Sequence, residues 1–281
     1  MLDSYIEKAS ILLEALPYIQ QFYGKTVVIK YGGSAMEDDN LKKSVTRDIV
    51  LLKYVGINPV IIHGGGKAIN YWLEKTDIHS EFINGQRKTS KKAMEVIEMV
   101  LSGKVNKSLV NYINLAGGKA VGISGKDTHL ITAEKKEQLG YVGKISKINP
   151  DIINLLDSAD NIPVISSVGV SHEGESLNIN ADFAASEIAI ALKAEKLILL
   201  SDVDGVLDKN NKIIKKLNAS EIDMHIKDNT IHGGMIPKME SLKKAIKNKV
   251  HSIHIINGTT PHSLILELFT NYGIGTMIKE Q

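Results

Sequence analysis

Cysteine is absent from all 281 residues, which excludes disulfides and thiolate metal ligands and fits a reducing compartment. Charge of one sign is also lacking: 34 basic side chains face 32 acidic ones, for a formal net charge of +2. So small an imbalance argues against a dedicated nucleic-acid surface. No apolar run reaches the roughly 18 residues that a membrane-spanning helix needs. The first residues lack the basic start, apolar stretch and small-residue cleavage site of a secretory signal. A soluble protein of a cytoplasm, or of an organelle stroma, is the expectation. Proline- or serine-rich linkers, low-complexity tracts and solenoid periods are missing too. So are two common nucleotide signatures, G-x-x-x-x-G-K-[ST] and a G-x-G-x-x-G with an acidic residue on the next strand. The aspartates of Ser201-Asp202-Val203-Asp204-Gly205-Val206-Leu207-Asp208 lack the twelve-residue EF-hand pattern and its closing glutamate. The chemistry of that stretch is that of a hairpin turn with Asp204-Gly205 at its tip.

What is present is a repeated unit. Hydrophobic content of 43% is ordinary for a soluble globular protein, and the length allows one large α/β domain or two lobes. Val27-Val28-Ile29-Lys30-Tyr31-Gly32-Gly33-Ser34 is an apolar run ending in a lysine and a glycine pair. Such a run suits a strand buried on both faces of a parallel sheet. Glycines at its end let backbone N–H groups approach an anion. Taken alone, it is equally a strand that stops in an exposed lysine and a turn. The unit recurs: an amphipathic segment from Leu41 to Tyr54 with Gly56 at C′, then Val60-Ile61-Ile62, His63-Gly64-Gly65-Gly66-Lys67, and another helix. This is βαβ logic with two glycine-lined anion sites on one sheet edge. His232-Gly233-Gly234-Met235-Ile236-Pro237-Lys238 describes a third such site at a helix start.

Other stretches bear on chemistry less directly. Glu81 to Thr89 reads as a hairpin turning at Asn84-Gly85, and it carries Arg87, either a solvated arginine or a carboxylate clamp. A helix follows through Val96, Ile97, Val100 and Leu101. Leu130–Thr132 and Tyr141–Ile145 look like hairpin strands, and Pro163 to Gly169 like one further strand. In Leu177-Asn178-Ile179-Asn180-Ala181-Asp182 three polar side chains alternate, so on an extended segment they face one way. An asparagine turn with an aspartate N-cap would account for Asp182 but not for that alternation. Between Asp3 and Phe22, Ser4 and Glu7 form a capping-box pattern, and Ile6, Ala9, Leu12, Leu13 and Leu16 share a helical face. Pro17 should end or kink that helix. Its apolar face either folds back on its own domain or meets the same helix of another subunit.

The motifs in their order resemble the amino-acid kinase family, in its acetylglutamate-phosphorylating branch. They are Val-Ile-Lys-Tyr-Gly-Gly at 28–33, His-Gly-Gly-Gly at 63–66, Asn-Gly-Gln-Arg at 84–87, Asn-Ile-Asn-Ala-Asp at 178–182, Ser-Asp-Val-Asp-Gly-Val at 201–206, and Gly-Gly-Met-Ile-Pro-Lys at 233–238. The resemblance implies a three-layer αβα sandwich around a mainly parallel sheet. It implies an oligomerising helical extension at 1–25 and a kinase domain at 26–281, with the acceptor on 26–195 and the nucleotide on 196–281. Lys30 would contact the transferring phosphoryl group, Lys238 would stand on the leaving side, and Asp182 would organise both lysines. Gly65, Gly66, Arg87, Asn178 and Asn180 match substrate contacts. Gly32, Gly33, Ser201, Asp202, Gly205, Gly234 and Met235 match nucleotide contacts. The substrates so implied are N-acetyl-L-glutamate and ATP with a Mg2+ held mainly through phosphates, no protein metal site being evident. The extension and Gly273-Ile274-Gly275-Thr276 resemble the arginine-inhibited hexameric branch, some members of which also bind a PII signalling protein. One departure stands out: Asn257-Gly258-Thr259 occurs where those enzymes commonly read Asp-Gly-Arg. Kinases of the same fold acting on glutamate, carbamate or UMP, a non-catalytic arginine sensor on this scaffold, and a dinucleotide oxidoreductase are the alternatives.

Overall fold

The computed structural model describes residues 2–83 and 85–280, with the backbone alone at Asp3, Ser4, Glu7 and Lys8. The Ser4–Glu7 capping box and the turn residue Asn84 thus lie outside the described residues. The valine- and isoleucine-rich runs become an eight-stranded sheet. Its strands are β1 (Thr26–Tyr31), β2 (Asn58–His63), β3 (Ala120–Ser124), β4 (Ile162–Ser166), β5 (Lys196–Ser201), β6 (Lys216–Leu217), β7 (Ser252–Asn257) and β8 (Thr276–Ile278). They lie side by side as β6-β8-β7-β5-β1-β2-β4-β3. β7 and β8 pair antiparallel and β6 follows β8, so the other six strands run one way. The chain builds outward from β1 to one side and returns to build from β5 on the other, so its switch point falls at β1.

Alternation along β1 decides what faces where. Val27 and Ile29 pack with Phe22, Ile49, Ile113 and Leu264, from the helices Leu16–Phe22, Asp39–Tyr54, Asn106–Leu115 and Ser263–Phe269. Val28 packs on the opposite face with Ala185, Ile188, Ile222 and Leu242, from Ala181–Ala191, Ala219–Lys227 and Met235–Lys247. The result is the three-layer αβα sandwich with both sheet faces covered. Lys30, two residues after Val28, points into the second layer, toward the helix that carries Asp182.

Several elements differ from the sequence expectation. The stretch 163–169 is two strands: β4 stays in the main sheet, and Val168–Val170 crosses into a four-stranded sheet with Ser176–Asn178, Ile131–Lys135 and Gly143–Ile148. The helix through Leu101 does not stop there; Met99–Val105 winds as a π-helix and runs on into Asn106–Leu115. The hairpin after β5 turns not at Asp204-Gly205 but further on. Leu207 bridges Ile213, and the Asp208 N–H donates to the Lys212 carbonyl. At the N-terminus the helix Leu2–Glu14 breaks at Ala15, and Leu16–Phe22 restarts with Pro17 in its first turn, where its missing N–H costs nothing. Ile6, Leu12 and Leu13 are 54, 75 and 66% exposed, so this helix does not fold back onto its own domain.

Ile29 is wholly buried at the centre of the sheet. Ile29→Ala is expected to destabilise by about 2–5 kcal/mol, the transfer and cavity loss of a core isoleucine, measured by urea unfolding.

Candidate active site

At the carboxyl edge of the sheet, β1, β2 and β5 end together around three turns. The helix Ala181–Ala191 starts beneath them. Asn180 is its N-cap: its Oδ1 accepts from the Asp182 and Phe183 N–H groups at 2.8 and 3.3 Å. Asp182 therefore sits inside the first turn, where the helix dipole favours a carboxylate, rather than at the cap. Its Oδ1 lies 3.1 Å from Lys30 Nζ and its Oδ2 3.3 Å from Lys238 Nζ. The three side chains are only 13–17% exposed. Burial alone would push the Asp182 carboxyl up, but Lys30 and Lys238 outweigh it and hold the group below its ordinary range. Lys238 comes from the first turn of Met235–Lys247, which has no side-chain cap.

A cleft of about 250 Å3 opens on the Lys30 side, bounded by Gly32, Gly33, the Gly64–Gly66 turn, Arg87, Asn178, Asn180 and Asp182. A smaller hollow of about 60 Å3 lies on the Lys238 side, reaching Gly234 and Pro237. Gly85, Gln86, Asn180 and Asp182 border both. Neighbouring side chains crowd the space that a Cβ would take at these glycines. A Cβ on Gly32 would lie 2.4 Å from Lys30 Nζ, and one on Gly65 2.7 Å from Leu101 Cδ2. Gly33 has φ +75, and a Cβ there would strike the Asp202 carboxylate. Asp202 Oδ1 accepts from both the backbone N–H and the hydroxyl of Ser34, each at 2.6 Å, tying the end of β5 to the turn after β1. Gly66 opens the helix Gly66–Lys75, whose first N–H groups have no side-chain cap, and it lines the cleft together with Gly64 and Gly65.

Arg87 is 7% exposed. Its guanidinium donates to Ser80 and to Asn70 Oδ1, and it stacks on Phe82 with 4.6 Å to the ring centroid. Burial draws its pKa down. Among the described residues no acidic side chain pairs with it. Asn178 holds Thr89 through its amide at 3.2 Å. Sequence reasoning found Arg87 but missed Asn70, Ser80, Gln86 and Leu101. Contacts made across 17 residues of chain or through a π-turn leave no local pattern. Ser201, Gly205 and Met235 line neither cavity among the described residues. Gly205 is explained by a tertiary contact: a Cβ there would lie 2.6 Å from Thr276 Oγ1, which accepts from the Val206 N–H. Met235 is half-buried against the core. Asn257 ends β7 beside Ser201, and the Gly258 N–H donates to the Ser201 carbonyl. The Asn257–Thr259 departure thus lies at the carboxyl edge of the sheet. It is on the order of 16 Å along the strand from Lys196 and Ser252, at ~3.3 Å per residue.

Residues 25–257 match the amino acid kinase family. The chain belongs to that family. Family relatives include the acetylglutamate kinase of Hahella chejuensis, 48% identical over 98% of this chain and 96% of the relative. The acetylglutamate kinase of Carboxydothermus hydrogenoformans is 52% identical over 99% of each. Among solved structures, N-acetylglutamate synthase from Neisseria gonorrhoeae, complexed with coenzyme A and N-acetyl-glutamate, superposes with a TM-score of 0.86 at 27% identity. The match covers 97% of this chain, which spans 63% of that longer one. Giardia carbamate kinase, at 17% identity and TM-score 0.70 over 92% of this chain and 99% of that one, shares the amino acid kinase fold.

Gly65→Ala is expected to lower turnover by pressing a methyl group against Leu101. Gly65→Ala with Leu101→Ala should recover part of the loss; kinetics equal to wild type in the single variant would show that the turn has room to spare.

Proposed function

We propose that this chain phosphorylates the side-chain carboxylate of N-acetyl-L-glutamate with ATP, giving N-acetyl-L-glutamyl 5-phosphate, as in arginine biosynthesis. The observation that carries the reading is a single buried carboxylate, Asp182, held by two lysines from distant parts of the chain at the mouth of a cleft whose arginine has no acidic partner among the described residues. The acceptor carboxylate has an ordinary pKa of about 4.3, so it is already ionised and needs no general base. One of its oxygens attacks the γ-phosphorus, the bond to the β–γ bridging oxygen breaks, and ADP leaves with that electron pair. The obstacle is charge: an anion approaches an anion, and negative charge spreads over the equatorial and leaving oxygens. Lys30 meets the equatorial oxygens, Lys238 the leaving side, and the N–H groups of the glycine turns supply fixed donors. Asp182 screens the two ammonium groups from each other and fixes their aim.

Arg87 takes the α-carboxylate of the acceptor as the anion its buried guanidinium lacks, and Asn178 faces the acetamido group. Residues 26–195 form the acceptor side and 196–281 the nucleotide side, with Ser201, Asp202, Gly205, Gly234 and Met235 around the nucleotide. Among the described residues no three histidine or acidic side chains converge as metal ligands. A Mg2+ would come with the ATP phosphates and neutralise charge on them.

The exposed apolar face of Leu2–Glu14 supports a further assignment: two such helices pair between subunits and join dimers into a hexamer. Arginine, as feedback inhibitor, binds at the root of that extension. Tyr18 donates there to Asn271 at 2.6 Å, and Lys196 lies 5.1 Å from the Phe22 ring centroid. The carboxylate of Glu267 is close by, engaged by His254 and the Ile274 N–H. A cytoplasmic location fits the helices, none of which is long and apolar enough to cross a membrane among the described residues.

A coupled ADP-release assay across acetylglutamate, glutamate, carbamate and UMP tests the reading; turnover should require acetylglutamate. Lys30→Ala and Lys238→Ala should each lower kcat by about a hundredfold or more, since they act on charge that develops in the transition state. Arg87→Ala should chiefly raise KM for the acceptor. Removing residues before Gly24 should leave active dimers that arginine no longer inhibits, read by sedimentation and by assay with and without arginine.

A further inference from the structure

Beneath the glycine turn after β2 lies a buried pair that takes no part in the chemistry above. His63 ends β2 with no exposed surface, and its Nδ1 lies 2.8 Å from the Gly64 carbonyl oxygen. A carbonyl can only accept, so Nδ1 carries the proton and Nε2 is left as an acceptor. The Asn106 amide nitrogen lies 3.1 Å from Nε2. Asn106 is equally buried, and the same nitrogen lies 2.9 Å from the Val164 carbonyl and 3.3 Å from that of Ile123. Three acceptors around one amide nitrogen fix the amide's orientation, because the flipped amide would set oxygen against all three. Its own oxygen makes no hydrogen bond and abuts Gly122, where a Cβ would lie 1.9 Å away. An unsatisfied buried oxygen and an obligatory glycine are costly features. Here they hold one imidazole tautomer in place. Burial keeps the ring pKa down, to about 4; the Gly64 hydrogen bond opposes this and Lys107 adds to it. The imidazole is neutral at neutral pH.

The Gly64 N–H, for its part, donates to the Tyr31 carbonyl at 3.3 Å, so both backbone groups of residue 64 are engaged. Gly65 and Gly66 then pass into the cleft, with Leu101 and Val105 of the π-turn against Gly65. That π-turn leads directly into Asn106. One segment, 99–106, thus supplies both the wall of the glycine turn and its floor.

We propose that His63 is a positioning residue: kept by Asn106 as the Nδ1–H tautomer, it pins the Gly64 carbonyl away from the cleft and thereby aims the Gly65 and Gly66 N–H groups at a reacting oxyanion. The inference deepens the reading under Proposed function and rests on it for the identity of that anion, a carboxylate or phosphoryl oxygen.

Two half-replacements separate positioning from mere filling of the core. In His63→Asn the amide nitrogen falls where Nδ1 stood and still reaches the Gly64 carbonyl, but the partner of Asn106 is lost. In His63→Gln the amide oxygen falls where Nε2 stood and still accepts from Asn106, but Gly64 loses its donor. The Gln variant should lose about a hundredfold in kcat/KM and the Asn variant less than about tenfold, the difference being one buried hydrogen bond at the turn. Equal losses at equal melting temperatures, or the reverse order, would overturn the positioning role. Nitrogen-15 spectra of the histidine-labelled wild-type chain should show His63 with a protonated Nδ1 and a bare Nε2; an Nε2–H form would also overturn it. If the wild-type chain fails to phosphorylate acetylglutamate, the reading under Proposed function falls. His63 is then judged by the Gly65 and Gly66 amide shifts on titration with inorganic phosphate, which should be preserved in His63→Asn and lost in His63→Gln; equal shifts in both variants would overturn the proposal.

Discussion

A buried carboxylate between two ammonium groups is the constraint around which this protein is arranged. Asp182 is ionised although it is buried, because Lys30 and Lys238 each stand within 3.3 Å of one of its oxygens. Remove the carboxylate and two cations of like sign face each other in a buried cleft; remove one lysine and the anion loses one of the two cations that offset its desolvation. The fold brings the three together by simple means. Lys30 is the last inward-facing position of the central strand, Asp182 lies in the first turn of the helix packed beneath it, and Lys238 lies in the first turn of the neighbouring helix. Each sits near an element end, at the border of the cleft.

The turns around this triad are constrained by contact as much as by conformation. At Gly32, Gly33 and Gly65 a Cβ would meet the side-chain ends of Lys30, Asp202 and Leu101 respectively. Only the second of these also has a positive φ. Glycine here is chiefly a matter of room: the backbone must come close enough to present its N–H groups, and the side chains that position it occupy the remaining space. Asp202 and Ser34 serve the same end by fastening β5 to the β1 turn.

Around Arg87 there is burial without an acidic partner among the described residues. Arg87 is enclosed by Asn70, Ser80 and Phe82, all neutral, so its charge is solvated by dipoles and a ring face rather than by an anion. A guanidinium can grip a carboxylate through two parallel hydrogen bonds, which is the basis of the role proposed for Arg87. At the far end of the sheet the pattern reverses: Lys196, His254 and Glu267 satisfy one another in the interior, with the Lys196 ammonium over the ring of Phe22.

Much of this was legible before any fold was seen. Apolar runs ending in glycine named β1, β2 and the edge they share, because buried parallel strands and close anion approach both write themselves locally. The alternation of Asn178, Asn180 and Asp182 did bring all three to one cleft. Yet their tasks divided there: Asn180 spends its oxygen capping the helix, Asn178 holds Thr89, and Asp182 alone meets the lysines. The sequence by itself determined which groups were available and on which face of each element they stood, since periodicity is a local property. Only the tertiary structure decided the partners: Lys30 with Lys238 across some two hundred residues, Arg87 with Asn70, His63 with Asn106, and Gly205 with Thr276 rather than with a hairpin tip. Those choices depend on the order of strands in the sheet and on a π-turn that shifts one helix face. Neither is encoded in any short stretch of chain.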